Sequence, residues 1–362
     1  MKHWYIIFSI LLSAYSCVYP YDLPDLSEGK EYLVVDASIM LGQRATLSLR
    51  TINGRGVMPM IENWWVEDDE GTKYMGSPSM EFVDLSKATA DKSYRMVIKV
   101  DGKTYSSSFE KADNPPLLEK IEFDADEETV RGKISLKENG SGTGFVAISW
   151  EEIWKFHTRF VDAYDVDMKE WKVVEREDPN YERYWCWHYA RNENEILLDM
   201  TSLDGVAKHF PFHSFARTNN RNHGDYTIKV MARSISPAEY RFRKNLNSSS
   251  EGYNLFTPNP GEIAGNVRCE EDPSIPVMGY VTLSYASSME GHLDGKYHIT
   301  PRVGNLQELK QEDIPYYYME LKYRPVYYRY DGEDIIHLWG PLRCIDCVAD
   351  GGTLEKPKFR NL

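Results

Sequence analysis

Four cysteines that follow position 17 are the residues best suited to covalent or metal chemistry: Cys186, Cys269, Cys344 and Cys347. The last two form the spacing CIDC, and two thiolates at that spacing can share a zinc ion. No second CxxC or close histidine pair completes a zinc site, and glycines follow where a redox-active CxxC would continue into a helix. We expect disulfides instead, with Cys269, Cys344 and Cys347 as candidates. The four cysteines allow three complete pairings, among which the sequence does not choose: CIDC could close on itself, or one of its members could reach Cys269.

The histidines and acidic runs form no recognisable catalytic or metal motif. His209 and His213 are four residues apart, but Pro211 between them argues against the helix that would put both on one face. The acidic runs at 67–70 and 124–128 lack the spacing of an EF-hand. HExxH, P-loop, nucleophile-elbow and dinucleotide motifs are also absent from the sequence. We therefore predict no catalytic residue, no metal and no cofactor. A hydrolase stays open as an alternative, because paired carboxylates leave no local signature.

Aromatic clusters are the other residues that could contact a ligand. Trp65 lies in NWWVE, and Trp185 and Trp187 lie in YWCWHY, where strand alternation puts both tryptophans on the face opposite Cys186. An aromatic side chain offers a large contact area at low entropic cost. Most such rings in a β protein fill the core or cover a sheet. If a ligand surface exists, Trp65, Trp185 and Trp187 are the first candidates for stacking on a sugar or another flat ligand.

The N-terminal residues have the composition of a secretory signal. A short basic start precedes a mostly apolar run over 4–15, which is too short to cross a bilayer. Cys17 follows small residues, as in a bacterial lipobox, although Ala14 stands where leucine is commonest. We expect a signal peptide over 1–16, acylation of Cys17 and an acidic tether over 17–31. Plain secretion is the alternative. Several acyl chains on one cysteine would give stable anchoring.

The charge balance excludes some classes of partner. The sequence has 362 residues with 42 basic and 56 acidic side chains, a net charge of −14. Nucleic-acid binders need clustered lysine and arginine, so we expect no nucleic-acid partner. Electrostatic attachment to an anionic membrane surface is equally unfavourable, which leaves the lipid as the expected membrane contact. The length favours two domains.

The elements that must position these side chains are mainly strands. Over 32–114, short alternating segments such as RATLSLRT predict an immunoglobulin-like β-sandwich. Asp101-Gly102 lies between two alternating segments, which indicates a hairpin with a type I′ turn. Pro115 and Pro116 mark the boundary with the next domain.

Residues 115–362 predict a larger β-sandwich or barrel with one inserted helix near 236–247. Ser236 can cap that helix, Pro237 suits its first turn, and Glu239 follows three residues after the cap. Strand character returns in GYVTLSYASS, and we also assign PYYYMELKYRPVYYRY to strands.

Two segments carry a resemblance to a known family. SISPAEYRFRKN leads through a Pro-rich loop to Gly265-Asn266-Val267 and then to VMGYVTLSYASS, while the chain ends in CIDCVADGGTLEKPKF. Both resemble the Bacteroidota lipoprotein family known as domain of unknown function number 4249, although Arg360 stands where members often have tryptophan. The resemblance implies an outer-membrane lipoprotein often encoded beside SusC-type TonB-dependent transporters. Only acylation of Cys17 and the pair Cys344–Cys347 carry over as site residues.

The expected function is that of a non-catalytic outer-membrane lipoprotein, accessory to a TonB-dependent, SusC-like uptake system and facing the cell surface or the periplasm. It would bind the transporter or its cargo, for which a glycan, a peptide and an iron complex are the candidates. A surface-anchored hydrolase of glycans or peptides and a purely structural or assembly lipoprotein are the alternatives.

Overall fold

The computed structural model describes residues 32–52, 59–77, 82–139, 144–250, 265–293 and 306–360. The signal peptide, Cys17 and the tether expected over 1–31 lie outside the described residues. Strands dominate the described ranges, and two α-helices accompany them. The predicted fold class, mainly β with sandwich sheets and one longer inserted helix, is confirmed.

The strands before Pro115 form the greater part of a first sandwich. They are β1 (Tyr32–Met40), β2 (Arg44–Ile52), β3 (Ile61–Asp68), β4 (Lys73–Gly76), β5 (Phe82–Asp84), β6 (Ser93–Val100), β7 (Lys103–Ser107) and β8 (Glu110–Lys111).

The elements that follow are β9 (Leu117–Ala125), β10 (Thr129–Lys137), β11 (Phe145–His157), β12 (Asp162–Asp167), β13 (Lys172–Asn180), β14 (Trp185–Arg191), β15 (Ile196–Asp199), β16 (Val206–Ala216), β17 (Tyr226–Ser234), helix α1 (Pro237–Ser250), β18 (Val267–Cys269), β19 (Val277–Ser284), β20 (Ala286–Leu293), β21 (Gln307–Glu308), helix α2 (Ile314–Met319), β22 (Tyr323–Asp331) and β23 (Asp334–Pro341).

Two sheets pack face to face in the first sandwich, with strand orders β19-β1-β2-β5 and β18-β7-β6-β3-β4. Trp64, Tyr94 and Met96 are among the buried side chains between them. The β6–β7 hairpin turns at Asp101 and Gly102, whose φ values of 50° and 74° are the positive angles that the predicted type I′ turn requires.

The chain returns to this first sandwich after α1. Strand β19 pairs in parallel with β1, and β18 pairs with β7, so residues assigned to the later domain complete both early sheets. Gly279 permits the approach of β19, because a Cβ there would lie 1.9 Å from the carbonyl oxygen of Val35. A Cβ at Gly265 would lie 1.8 Å from the carbonyl oxygen of Gly279. The two glycines of the family-like segment therefore fix the return of the chain.

A second sandwich packs the sheet β16-β10-β9 against the sheet β14-β11-β17-β20, and β15 pairs with β11. Its core contains large apolar side chains from both sheets, among them Ile134, Trp154, Phe156 and Phe212. A smaller unit lies beside it, where the hairpin β12–β13, the sheet β21-β23-β22 and α2 enclose Trp339.

Helix α1 confirms the prediction made for 236–247. The Ser236 hydroxyl accepts a hydrogen bond from the backbone N–H of Glu239 at 3.1 Å, as an N-cap should. Tyr240 stacks on Phe145 of the second sandwich, with ring centroids 4.3 Å apart. Phe242 packs 5.0 Å from Tyr280 of the first sandwich. The helix therefore joins the two sandwiches.

The strand assignment over PYYYMELKYRPVYYRY is wrong in its first half. Residues Ile314–Met319 form α2, and β22 begins only at Tyr323. Pro315 lies in the first turn of α2, where its missing N–H costs no hydrogen bond and its fixed φ suits a helix. The β-forming tendency of three successive tyrosines is overridden there.

Candidate functional site

A groove runs between the outer faces of the two sandwiches. Its larger cavity has a volume of about 540 Å³ and the smaller one about 300 Å³. Ser38, Met40 and Arg191 line both cavities, so the two adjoin each other. Strands β1, β2 and β19 form one wall. The other wall comes from β11, β14, β17 and the C-terminal half of α1.

Strand alternation explains why polar side chains reach this groove. In β19, Val281 and Leu283 are buried in the first core, so Thr282 and Ser284 point to the opposite face. In β17, Ala232 is buried in the second core, and its neighbour Arg233 points into the groove. Each wall is therefore the polar side of a sheet whose apolar side fills a core.

A buried ion-pair network closes the larger cavity. Arg233 Nη1 lies 2.9 Å from Glu239 Oε1, and Arg233 Nη2 lies 2.8 Å from Glu195 Oε2. Arg243 pairs with the same two carboxylates. Burial alone would raise the pKa of Glu195, but the charges of Arg233 and Arg243 lower it below its usual range. Burial would lower the pKa of Arg233, which the two carboxylates instead raise.

The smaller cavity forms an arginine-rich end of the groove, which we call the arginine end. It is lined by Ser38, Met40, Arg44, Thr46, Tyr189, Arg191 and Arg360. Glu151 is almost fully buried, and its Oε1 accepts hydrogen bonds from the Tyr189 hydroxyl at 2.6 Å and from the Arg360 N–H at 3.1 Å. Burial and this bond to Glu151 raise the pKa of Tyr189 to about 12.

The structure brings two of the three candidate tryptophans together. Trp185 and Trp187 lie on one face of β14, and Lys155 Nζ is 5.1 Å from the first ring centroid and 5.8 Å from the second. Trp65 lies on β3 in the first sandwich, where Lys73 Nζ lies 4.7 Å from its ring. None of the three lines the groove. Lysines contact all three rings, so an incoming ligand would have to displace them to stack there.

The disulfide in the described part of the chain joins Cys186 to Cys347, with Cα atoms 5.7 Å apart. Cys269 and Cys344 are free thiols. CIDC therefore does not close on itself, and Cys269 is not its partner. Cys344 lies in a tight turn with its sulfur toward Gly340, whereas Cys347 meets the inward face of β14. Of the three candidates Cys269, Cys344 and Cys347, only Cys347 is bonded, and its partner is the fourth cysteine, Cys186.

A buried polar cluster in the second sandwich has no counterpart among the predicted sites. Glu152, 3% exposed, accepts hydrogen bonds from His213 at 3.1 Å, from Arg221 Nε at 2.7 Å and from the Tyr226 hydroxyl at 2.9 Å. Arg221 also lies 4.2 Å from the ring centroid of Trp154. These residues do not line the groove. Their polar groups form hydrogen bonds with one another. The cluster stabilises the core, and no spacing of residues in the sequence predicts it.

Two further properties concern the described residues only. No three His, Cys, Asp or Glu side chains there are grouped so that they could hold a metal ion. None of the helices in the described ranges combines the length and the hydropathy needed to cross a membrane.

Comparison with known proteins gives a match to a family model. No curated protein matches the chain. The family model described as domain of unknown function (DUF4249) matches residues 18–290, which is more than half of the sequence. The resemblance seen in the 230–285 segment is thereby confirmed. The chain belongs to the DUF4249 family.

Proposed function

We propose that this protein is an outer-membrane lipoprotein that acts as a non-catalytic accessory to a TonB-dependent, SusC-like uptake system. It binds the cargo of that system in the groove between its two sandwiches, and it contacts the transporter through its exposed surface. Acylation of Cys17 holds it at the membrane, with the tether over 17–31 between lipid and body.

The groove is the observation that carries this proposal. Its cavities of about 540 and 300 Å³ fall in the size range of small-molecule sites, and two rigid sheets form their walls. Polar side chains line it on both sides, which suits a hydrophilic solute. A site of this kind holds a ligand by shape and hydrogen bonds without needing a reactive group.

The carboxylates of the network favour binding over hydrolysis. A glycoside hydrolase needs one carboxyl group that keeps its proton near the working pH. The pKa of Glu195 is lowered by Arg233 and Arg243, and the Glu239 carboxylate pairs with both arginines. Glu195 is therefore held ionised, which makes it a poor general acid.

Exposed aromatic side chains on the β22–β23 hairpin support contact with a protein partner. Tyr330 is 66% exposed and Ile335 is 55% exposed, and they are paired across the two strands. Tyr328 extends the same surface, with its ring centroid 5.5 Å from that of Tyr330. Tyrosine is enriched at protein interfaces because it combines apolar area with a hydroxyl.

The test begins with the anchor. Cys17→Ala should abolish labelling by a radioactive fatty acid and move the protein from the outer-membrane fraction to the soluble fraction. Cys344→Ala is the matched control, because that thiol is free and half-buried. The wild-type protein should also co-purify with a TonB-dependent barrel from solubilised outer membranes. Unchanged fractionation of Cys17→Ala, or purification without any barrel, would contradict the proposal.

A further inference from the structure

We propose that the arginine end of the groove binds a small, multiply charged oxyanion, in which carboxylate or phosphate groups meet Arg44, Arg191 and Arg360. This inference deepens the proposed function, on which it rests in taking the groove as the cargo site. The binding itself needs no transporter and is measured on the protein alone.

The lining of this cavity is the first argument. Three arginines and three hydroxyl side chains face a volume of about 300 Å³, and no acidic side chain lines it. This occurs in a chain with 56 acidic residues and a net charge of −14. Elsewhere in the groove, Arg233 and Arg243 are neutralised by Glu195 and Glu239. Within this lining, Arg191 and Arg360 therefore carry positive charge that no lining carboxylate neutralises.

The fold brings these arginines from three distant segments. Arg44 begins β2, Arg191 ends β14, and Arg360 lies in the C-terminal segment. Arg44 Nη2 donates to the carbonyl oxygen of Arg360 at 3.3 Å, and the Arg360 guanidinium lies 4.9 Å from the ring centroid of Tyr189. Neither Arg191 nor Arg360 forms an ion pair with a carboxylate of the described residues. Their guanidinium forks match the geometry of carboxylate and phosphate oxygens.

Glu151 beneath the cavity offsets only part of this charge. It is a single carboxylate, 1% exposed, and its Oε1 is already engaged by Tyr189 and by the backbone of Arg360. Its effect is to hold the segment that carries Arg360 against the sheet. The Tyr189 hydroxyl donates its hydrogen bond to Glu151 and has no second proton for the anion, so Tyr189 contributes only to the shape of the cavity. The Ser38 and Thr46 hydroxyls are 2.9 Å apart, so one proton lies between them and the other can reach the anion.

The chosen probes are citrate and inorganic phosphate, with glucose as a neutral comparison. The intact chain in detergent is titrated by calorimetry at about 20 mM and about 200 mM NaCl, because salt screens exposed charges. We expect citrate to bind with a dissociation constant below about 1 mM at low salt, to weaken at high salt, and to bind more tightly than glucose. Binding of phosphate with citrate absent would assign the site to oxyanions in general, whereas binding of citrate alone would assign it to polycarboxylates.

Arg191→Gln is the decisive variant, because it removes a positive charge that forms no ion pair with a carboxylate of the described residues. Loss of one charge-assisted, bidentate contact should weaken citrate binding about 10-fold or more. Arg50→Gln is the matched control, because Arg50 is exposed on β2 of the same sheet and does not line either cavity. Thermal unfolding of both variants should match the wild type.

Two results would overturn the inference: no heat from citrate or phosphate, and equal citrate affinity in Arg191→Gln and wild type. Failure of the proposed function gives a different pattern. In that case citrate binding and its loss in Arg191→Gln persist, but Cys17→Ala leaves fractionation unchanged and no transporter co-purifies.

Discussion

The buried Glu152 cluster gives the sharpest test of how charge supports this fold. We consider Glu152→Gln, which keeps the shape of the side chain but removes its charge. Glu152 is surrounded by Arg221, His213 and Tyr226 in the second sandwich. The variant leaves the partly buried Arg221 guanidinium beside a neutral amide, and removing one partner of a buried pair is strongly destabilising.

The magnitude follows from the pKa of the carboxyl group. Burial alone would raise the pKa of Glu152, but hydrogen bonds and charges from His213 and Arg221 outweigh it, and the pKa falls from 4.5 to about 2. At about 1.4 kcal/mol for each unit of pKa, the folded state gains about 3 kcal/mol from ionised Glu152 at neutral pH. A lowered pKa gives stability that is present above 4.5 and is lost as pH falls towards 2. By about pH 3 the gain should shrink to about 1.4 kcal/mol.

Urea unfolding of wild type and Glu152→Gln, followed by tryptophan fluorescence at about pH 7 and about pH 3, measures this difference. The variant should lose about 3 kcal/mol at the higher pH and less than half of that at the lower pH. Glu127→Gln is the control, because Glu127 is exposed in the turn after β9 and should change stability by less than about 0.5 kcal/mol. A loss below about 1 kcal/mol, or one that does not vary with pH, would refute the reasoning.

Three other predictions concern the disulfide, the half-buried Glu110 and the return of the chain to the first sandwich. Replacing Cys186 and Cys347 together by alanine should lower the free energy of unfolding by about 2–5 kcal/mol in urea titrations; a loss of less than about 1 kcal/mol would contradict a structural role. Burial raises the pKa of Glu110 above 4.5, despite hydrogen bonds from Asn266 and Tyr280 that lower it. Glu110→Gln should therefore be more stable than the wild type above pH 4.5 and equally stable below it. Thermal melts across this pH range measure the difference. Gly279→Ala should lower the free energy of unfolding by more than about 3 kcal/mol, because its Cβ would clash with β1. Gly71→Ala is the control, because Gly71 has a similar positive φ but open space around it, and this variant should cost only about 1–2 kcal/mol. Equal losses in the two variants would show that the clash is absent.

Local chemistry made part of this fold predictable. Ser236, Pro237 and Glu239 specify the start of α1 through capping that acts within one turn. Asp101-Gly102 specifies its hairpin because both residues tolerate positive φ. Alternation in β14 correctly separates Cys186 from Trp185 and Trp187. In each case the determinant lies within a few residues of the structure it fixes.

The remaining features depend on contacts between distant segments. The partner of Cys347 is 161 residues away, and nothing near CIDC indicates it. Arg44, Arg191 and Arg360 meet only because the C-terminal segment lies on the outer face of the second sandwich. The aromatic clusters favoured Trp65, Trp185 and Trp187 as ligand contacts. The groove is instead lined by arginines and hydroxyl side chains, which are common in any sequence. Such sites carry no local pattern.

The parallel pairing of β1 with β19 constrains how the molecule can be made. Leu33 of β1 can pair with Val277 of β19 only after nearly all of the second sandwich has been synthesised. Until then the free edge of β1 can pair with a strand from another molecule. A gene fragment that stops at Pro115 would encode a protein with an open flank, and we expect it to aggregate. Recombination between the two sandwiches would therefore separate strands that share one sheet.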